Sequence, residues 1–306
     1  MQNSELFFNY LSWSNPWLVA IALNTFLLAI ATLAPKKLLT PAGQLHGWLL
    51  GVIIWGSLGW QGYAVVMFYF LVGSGVTRIG KAQKEAQGIA EKRSGARGPE
   101  NVWGSALTAT FCAVGVLALS ILGDTGGILG DTGGILGDTG GILGDTGGIL
   151  GDTGKMPVPQ NVIWAVPQDV ISLLLLGYAA SFCTKLSDTC ASEIGKAYGK
   201  HTFLITTLQP VPRGTEGAVS LEGTIAGIVG SVLMALVSWA VGLIDLTGIA
   251  FCVVSAFIAT NIESVIGATV QSKFDWLTNE VVNFFNTLIG AIAAIVLASV
   301  WKAFLA

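Results

Sequence analysis

Long apolar runs dominate this sequence, and they restrict the chain to a fold that is solvated largely by lipid. An α-helix needs roughly 20 apolar residues to cross a bilayer, and several segments meet that requirement with few charges. Eight segments are predicted to span the membrane: residues 17–34, 43–58, 60–76, 102–122, 168–186, 221–243, 247–267 and 284–303. The second and third are short and meet at a tight turn around Gly59. The sequence therefore predicts an all-α fold, a polytopic transmembrane helix bundle that forms a single membrane domain over residues 1–306.

Composition excludes an ordinary soluble domain. Of the 306 residues, 53% are hydrophobic and 11% are charged, whereas soluble domains carry about 25% charged residues. The net charge of −3 gives no indication of a nucleic-acid partner. Glu5 precedes the first apolar run without a basic segment or cleavage site, so no signal peptide is expected. The cysteines are predicted to be small buried hydrophobic residues: Cys112, Cys183, Cys190 and Cys252.

The distribution of basic residues predicts the orientation. If both termini lie on the non-cytoplasmic side, thirteen of the 15 Lys and Arg fall in inner connections, and Lys155 and Lys302 remain on the outer face. Inner loops of membrane proteins are enriched in Lys and Arg, so this asymmetry also supports the number of spans. We expect functional loops on the inner, cytoplasmic-type face at residues 77–101, 187–220 and 268–283.

A tandem repeat occupies residues 121–155, which read ILGDTGG four times and then ILGDTGK. Glycine at three of every seven positions excludes a coiled coil, because each glycine costs about 1 kcal/mol in a helix. We interpret the repeat as a low-complexity expansion in an outer loop. Weak calcium binding by its five aspartates is the alternative.

The first inner segment, GSGVTRIGKAQKEAQGIAEKRSGARGPENV, is basic and rich in glycine. It nearly matches a phosphate-binding P-loop, but Ala82 replaces the Ser or Thr that would bind Mg²⁺, and a membrane helix precedes it instead of a strand. Its cations suit phosphate groups or anionic lipid headgroups, although plain anchoring of the helices also explains them. They are Arg78, Lys81, Lys84, Lys92, Arg93 and Arg97.

The second inner segment carries carboxylates at a membrane boundary. Asp188 and Glu193 are candidates for function, because a carboxylate there is costly unless it is paired or bound to a metal. The alternative is a surface cluster in which Lys185 pairs with Asp188 and Glu193 pairs with Lys196. On a straight helix Asp188 and Glu193 point about 140° apart, so they can share one ion only if the helix breaks between them.

The third inner segment, residues 210–224, leads into the sixth span. Gly214 and Gly217 permit a tight loop, and Ser220 is predicted to cap the following helix, whose positive N-terminus favours a phosphate. Gly223 and Gly227 allow the close approach of another helix or of a ligand.

Glu263 lies inside an apolar span and therefore needs a cation or a metal. The amides of Gln271, Asn279 and Asn283 follow it and can bind polar substrate groups, unless they are merely solvated loop residues. With two histidines in the chain, a zinc site or a histidine-based triad is poorly supported. Oxygen ligands with basic neighbours suit Mg²⁺ and phosphates instead.

In their order along the chain, these segments resemble the integral-membrane family that includes the phytyl-phosphate kinases of plants and cyanobacteria. The resemblance rests on GSGVTRIGKAQKEAQGIAEKRSGARGPENV, SDTCASEIGKAYGK, VPRGTEGAVSLEGTIAG and NIESVIGATVQ. Two of these elements are also similar to dolichol kinase and phytol kinase, which phosphorylate isoprenoid alcohols with CTP. The resemblance covers nearly the whole chain except residues 121–167, where the repeat departs from the family.

The resemblance implies transfer of a phosphoryl group from a nucleoside triphosphate, expected to be CTP, to phytyl phosphate. The product would be phytyl diphosphate for tocopherol and phylloquinone synthesis, in a cyanobacterial plasma or thylakoid membrane. Phosphoryl transfer asks a protein mainly for positioning and for neutralisation of charge, which Mg²⁺, Lys and Arg supply. The expected partners are thus an isoprenoid phosphate, a nucleotide, Mg²⁺ and the lipid bilayer.

We assign roles to these residues as a hypothesis. The catalytic set is Asp188, Glu193 and Lys185, and the metal ligands are Asp188, Glu193 and Glu263. The nucleotide-binding set is Lys196, Lys200, Arg213, Gly214, Thr215, Gly217, Ser220 and Glu222. The residues for phytyl phosphate are Arg78, Lys81, Arg97 and Asn101.

Three rival functions remain open. A kinase of a free isoprenoid alcohol shares the motifs and differs in its acceptor. A transporter of an anionic metabolite would use Asp188, Glu193 and Glu263 to couple cations, with helices broken at glycines to form its site. A purely structural membrane protein would leave the clustered carboxylates unexplained.

Overall fold

The computed structural model describes residues 15–34, 38–90, 96–125 and 168–305. The α-helices in these residues are α1 (Pro16–Leu33), α2 (Pro41–Val76), α3 (Lys81–Ala86), α4 (Pro99–Thr125), α5 (Gln168–Tyr198), α6 (Leu221–Ala240), α7 (Leu246–Thr269) and α8 (Asn279–Leu305). Two short antiparallel strands, β1 (Thr202–Leu204) and β2 (Ala218–Ser220), and a 3₁₀-helix (Gln271–Lys273) complete the described part. The predicted all-α, polytopic helix bundle is confirmed.

Several helices begin at a polar side chain that binds a free backbone N–H group of the first turn. Asn15 accepts from Trp17 N and Thr40 accepts from Gly43 N, and in both helices proline follows the cap. Asp245 accepts from Gly248 N at the start of α7. The predicted cap at Ser220 is confirmed, because its hydroxyl accepts from Gly223 N at 3.1 Å.

The long helix α2 reverses direction at Gly59, which adopts φ 64° and ψ −157°, a conformation available essentially to glycine. Arg97 shows the reversal directly. Its carbonyl accepts from Thr40 N at the start of α2, and its guanidinium donates to the Tyr69 hydroxyl near the other end. In one straight helix Thr40 and Tyr69 would be about 44 Å apart. Residues 41–58 and 60–76 are therefore two antiparallel passes, as the predicted turn around Gly59 requires.

Seven described helices are long and apolar enough to cross a membrane. Because α2 folds back on itself, the described residues make eight passes through the bundle, in agreement with the predicted number. The first pass lies antiparallel to the second: Gln44 donates to the Ala31 carbonyl at their shared end. Which end of the bundle faces the cytoplasm stays a prediction.

Helix α5 lies at the centre of the bundle. Of its apolar stretch 72% is buried, against 11% for α1. Tyr178, Phe182 and Leu186 are fully buried on it, and the Tyr178 hydroxyl donates to the Gly62 carbonyl of α2. Side chains on α5 are therefore held between several helices, whereas α1 is mostly open to lipid.

Small residues bring α6 directly against α5. A Cβ at Gly223 would lie 2.6 Å from the Ala191 carbonyl oxygen, and one at Gly227 would lie 3.0 Å from Ser187 Oγ. The close approach predicted at these two glycines is thus contact with another helix. The four cysteines are free and buried, as predicted.

All three predicted inner loops contain helix. The segment 268–283 holds the end of α7, the 3₁₀-helix and the start of α8. The segment 187–220 continues α5 without interruption to Tyr198 and then forms the β1–β2 hairpin, because polar residues on one face do not stop a helix that is packed on its other faces. The segment 77–101 contains α3 and the start of α4. The repeat beyond residue 125, together with Lys36, Lys37, Lys92, Arg93 and Lys155, lies outside the described residues.

The reversal of α2 predicts the sidedness of three exposed positions. Cysteines introduced singly as Ala42→Cys and Gly75→Cys should react with a membrane-impermeant maleimide from the same side of sealed vesicles, and Trp60→Cys from the opposite side. The unsubstituted protein is the control, since its four cysteines are buried. Labelling of Ala42→Cys and Gly75→Cys from opposite sides would mean that α2 crosses the membrane once.

Candidate functional site

A polar pocket of about 220 Å³ lies at one end of the bundle. Its walls come from α2, α4, α5, α6, α7 and α8 and from the β1–β2 hairpin with its connecting loop. It is the end that carries the segments predicted to be functional. The lining includes charged and amide side chains, among them Arg97, Asn101, Lys185, Asp188, Glu263 and Asn283.

Two carboxylates, from Asp188 on α5 and Glu263 on α7, face each other in the pocket within hydrogen-bonding reach. Asp188 accepts a hydrogen bond from Lys185 Nζ at 2.6 Å. Glu263 accepts from the Asn286 side-chain amide on α8. Two carboxylates in contact inside a membrane bundle repel each other unless a proton or a cation lies between them. The pair therefore forms a position that attracts a cation.

Lys185 is buried and bound on two sides. Its ammonium group donates to Asp188 Oδ2 and to Asn283 Oδ1 of α8, both at 2.6 Å. The i,i+3 pairing of Lys185 with Asp188, one of the two interpretations of this segment, is thus present. The ammonium group orients Asp188 toward the pocket and offsets part of the negative charge there.

Glu193 does not join Asp188 and Glu263. Because α5 runs unbroken to Tyr198, Glu193 points away from Asp188 and forms a buried ion pair with Lys84 of α3. Each side chain is 2% exposed, and Lys84 also donates to the Thr77 carbonyl. Of the three predicted metal ligands, only Asp188 and Glu263 therefore lie together. Glu193 pairs with Lys84 and not, as the alternative interpretation predicted, with Lys196.

Arg97 lies on the wall of the pocket just before α4. Its backbone is bonded to Leu38 and Thr40, and its guanidinium donates to the Tyr69 hydroxyl at 3.1 Å and stacks on the same ring. Within residues 15–34, 38–90, 96–125 and 168–305 no carboxylate pairs with it. Asn101, one turn along α4, donates to Glu280 of α8.

The loop before β2 closes another side of the pocket. Gly214 and Gly217 adopt positive φ values of 83° and 75°, which confirms the predicted tight loop. Arg213 donates to the Ala197 carbonyl and so ties the loop to the end of α5. Thr215 Oγ1 donates to the Pro212 carbonyl. The loop thus places glycine backbone and Arg213 beside the N-terminus of α6, which suits an anion.

The structure brings together most of the residues that the sequence singled out, but not all. Those that line the pocket are Asp188, Glu193, Lys185, Glu263, Lys196, Arg213, Gly214, Thr215, Gly217, Ser220, Arg97 and Asn101, with the amides Gln271, Asn279 and Asn283. Those that do not line it are Arg78, Lys81, Lys200 and Glu222. Arg78 is exposed, and Lys81 forms an exposed pair with Glu85 of α3. The Lys200 backbone amide donates to Glu222.

Several pocket residues escaped the sequence interpretation. Tyr69 sits in an apolar span with no signal that sets it apart from a lipid-facing aromatic residue. Asn286 does not line the pocket itself but donates to Glu263, which does. It follows Asn283 by one turn, and paired amides inside a span could have indicated it. Thr260 Oγ1 is buried, and the described residues offer it no hydrogen-bond partner. A polar ligand in the pocket would supply that partner.

Metal binding by protein side chains alone has limited support. In the described part of the chain no three His, Cys, Asp or Glu side chains converge on one point. Asp188 and Glu263 offer two carboxylates, which is the number that Mg²⁺ commonly uses when substrate phosphates complete its ligands. The geometry thus suits a metal that arrives with a phosphorylated ligand.

Comparison with known proteins places this arrangement in a family. The family model described as Integral membrane protein DUF92 matches residues 24–291. The uncharacterized membrane protein sll0875 of Synechocystis is 57% identical over 92% of this chain and 90% of its own length. Protein VTE6, chloroplastic, of Arabidopsis thaliana is 38% identical over 94% of this chain and 73% of its own length. The uncharacterized membrane protein MJ0933 of Methanocaldococcus jannaschii is 36% identical over 40% of this chain. No solved structure matches the chain.

The buried ion pair predicts that Glu193 acts on stability. Glu193→Leu leaves the Lys84 ammonium without its carboxylate and should lower the free energy of unfolding by about 3–5 kcal/mol. Adding Lys84→Met should restore part of that loss. Thermal unfolding in detergent measures both effects.

The exposed pair on the same short helix supplies the control. Glu85→Gln removes the partner of Lys81 and should cost about 1 kcal/mol or less. A Glu193→Leu variant as stable as Glu85→Gln, or a double variant no more stable than Glu193→Leu, would contradict the structural role of the Lys84–Glu193 pair.

Proposed function

Since the chain belongs to the DUF92 family of integral membrane proteins, we propose that it is a prenyl-phosphate kinase. It transfers the terminal phosphoryl group of a nucleoside triphosphate, CTP in our proposal, to phytyl phosphate, and the product serves tocopherol and phylloquinone synthesis. The observation that carries the proposal is a polar pocket at one end of the helix bundle, lined by a carboxylate pair and by an arginine without a carboxylate partner among the described residues. The 38% identity to Protein VTE6 supports it.

Arg97 is the proposed ligand of the acceptor phosphate. Arginine binds phosphate through paired N–H donors, and Tyr69 holds this guanidinium in place by a hydrogen bond and by stacking. The N-terminus of α4 begins two residues later, at Pro99, and adds a positive end of a helix dipole. An acceptor phosphate at this wall would lie at the end of the bundle while its apolar chain extends among the helices.

Asp188 and Glu263 are the proposed ligands of Mg²⁺. One oxygen of each is bonded to a donor of the protein, Lys185 or Asn286, which leaves the other for a cation. A cation between them would relieve the repulsion of the pair, so the residues fit the metal. When bound, Mg²⁺ would neutralise charge on the triphosphate. Glu193 is not part of this set, because Lys84 holds it.

The nucleotide phosphates are proposed to lie against the loop before β2. Lys196 lines the pocket beside this loop, and Arg213 is held near it by the Ala197 carbonyl. Gly214 and Gly217 allow this loop to pack closely against Ile89 and against Ser264 of α7, the residue that follows Glu263. A triphosphate bound along the loop would therefore have its terminal phosphate near Glu263 and Asp188.

The reaction then needs little proton chemistry from the protein. An oxygen of the prenyl phosphate forms a bond to the terminal phosphorus of the nucleotide, and the bond from that phosphorus to its bridging oxygen breaks. The products are the prenyl diphosphate and a nucleoside diphosphate. The acceptor oxygen is already ionised at neutral pH, so a general base is less necessary than for an alcohol. Lys185 positions Asp188, and Arg97 positions the acceptor.

Two rival functions make different predictions. A kinase of a free prenyl alcohol would need a base at the acceptor oxygen and would have no use for Arg97 in acceptor binding. The transporter hypothesis predicts a site formed by helices that are broken at glycines. The helices α5, α6, α7 and α8 around the pocket are each continuous, so the structure does not favour a transporter.

The activity itself is the first test of the proposal. Purified protein in detergent with Mg²⁺ and mixed nucleoside triphosphates is expected to convert phytyl phosphate to phytyl diphosphate, detected by mass spectrometry. Asp188→Asn and Glu263→Gln should each abolish turnover, because each removes a negative charge from the proposed metal site. The control is Asp275→Asn, an exposed residue outside the pocket, which should retain activity.

Other outcomes are equally informative. Phosphorylation of phytol with no product from phytyl phosphate would replace the proposed acceptor by the alcohol. Full activity of a folded Asp188→Asn variant would remove Asp188 from the site. No product with either acceptor from a folded wild-type sample would contradict a kinase.

Substitutions of Arg97 and Arg78 test which arginine binds the acceptor phosphate. The sequence predicted both, whereas only Arg97 lines the pocket. Loss of a charge-assisted contact costs about 1.5–3 kcal/mol, so Arg97→Gln should raise the KM for phytyl phosphate about tenfold to a hundredfold. Arg78→Gln should leave that KM unchanged, because Arg78 lies outside the pocket. Steady-state kinetics with varied phytyl phosphate measure both. The reverse pattern would place the acceptor phosphate at Arg78.

A further inference from the structure

An apolar groove of about 360 Å³ lies beside the polar pocket, between α1, both passes of α2 and α4. We call it the tail groove and define it by Leu27, Ala31, Gly47, Val66, Met67 and Phe70. We propose that the tail groove binds the hydrocarbon chain of the prenyl phosphate and thereby selects acceptors with a long tail. This inference rests on the proposed function, since it names where the rest of that acceptor lies.

The first argument is continuity with the polar pocket. Tyr69, Arg97, Asn101 and Ser105 line both cavities. A molecule whose phosphate is bound by Arg97 can therefore extend its tail into the groove without crossing a wall of the protein. The charged head and the apolar tail of one ligand match the two adjoining cavities.

The second argument is the chemistry of the groove surface. Away from the four residues that it shares with the polar pocket, the polar side chains on the groove wall are bonded to other protein groups. Asn24 donates to the Ala20 carbonyl and accepts from the Tyr63 hydroxyl, while Gln44 donates to the Ala31 carbonyl. These bonds leave little hydrogen-bonding capacity for a polar ligand, so the groove offers an apolar surface to a hydrocarbon.

The third argument is size and access. Along α1 the lining runs from Asn24 to Ala34, which is about 15 Å at the rise of an α-helix. The volume lies within the range of ligand cavities. At the rim, Ile30 is 49% exposed and Leu71 is 56% exposed, so the groove is open toward the bilayer. A membrane-dissolved tail can enter sideways between α1 and the second pass of α2.

The positive charge at the mouth of the tail groove indicates which kind of ligand the groove binds. The mouth of the groove carries the guanidinium of Arg97, which no carboxylate neutralises within the described ranges of the chain. A single-tailed phosphate satisfies that charge and fills one groove, whereas a zwitterionic phospholipid brings its own cation and a second tail. The observations therefore favour a prenyl phosphate over a bulk membrane lipid.

A matched pair of substitutions on α1 tests the proposal. Ala31 lines the groove, whereas Ala29 is exposed to lipid on the other side of the same helix. Ala31→Phe should lower kcat/KM with phytyl phosphate by at least about tenfold, because the ring occupies space that several methylene groups would fill. Activity with a five-carbon prenyl phosphate should be unchanged. Ala29→Phe should leave both activities at the wild-type level.

Activity with the five-carbon prenyl phosphate shows whether the Ala31→Phe variant is folded, so it distinguishes a blocked groove from misfolding. An Ala31→Phe variant that loses both activities alike, or neither, would overturn the tail groove. Wild-type protein that prefers the five-carbon acceptor to phytyl phosphate would overturn it as well.

A labelling experiment tests binding in the tail groove independently of the proposed reaction. A prenyl phosphate with a photoreactive diazirine in its tail is cross-linked to the protein in phosphatidylcholine nanodiscs. Labelling of α1 and α2 that is lost in Ala31→Phe and kept in Ala29→Phe would support the groove even if wild-type protein made no diphosphate. Labelling that is equal in both variants, or displaced by added phosphatidylcholine, would contradict it.

Discussion

The cost of placing charge inside a membrane bundle governs this structure. Helix α5 carries Lys185, Asp188 and Glu193 along its final turns, where the side chains of Lys185 and Glu193 are buried. Each charge therefore needs a partner. Asn283 of α8 binds Lys185, Lys185 itself binds Asp188, and Lys84 of α3 binds Glu193. Two other helices, α8 and α3, thus supply the partners of the charges on α5.

The two pairs of charged side chains on α5 and its neighbours have different roles. The Lys84–Glu193 pair is closed off from solvent and attaches the short helix α3 to α5, so it stabilises the end of the bundle that holds the pocket. The Asp188–Glu263 pair lies in the polar pocket and consists of two like charges, which a protein gains nothing by holding together unless something positive is bound there. The cost of burying charge thus explains both pairs. The Lys84–Glu193 pair is neutralised and structural, whereas the Asp188–Glu263 pair is available to bind a cation.

Arg97 links the two cavities of the proposed site. Its backbone is bonded to Leu38 and Thr40 at the start of α2, while its side chain lies against Tyr69 on the returning pass. The reversal at Gly59 is what brings these two parts of the chain to one arginine. An amphipathic acceptor would exploit that junction, with its phosphate in the polar pocket and its hydrocarbon in the tail groove.

The sequence by itself determined what depends on neighbouring residues: the apolar passes, the turn at Gly59, the cap at Ser220 and the i,i+3 pairing of Lys185 with Asp188. Hydrophobic length, backbone conformation and helix periodicity act within a few residues of each position. Tertiary structure alone decided that Glu193 pairs with Lys84, 109 residues away, that Glu263 meets Asp188, and that Arg97 reaches the pocket while Arg78 does not. Those outcomes depend on how continuous helices pack and rotate against one another, and a unique arrangement in three dimensions is needed before distant charges can select their partners.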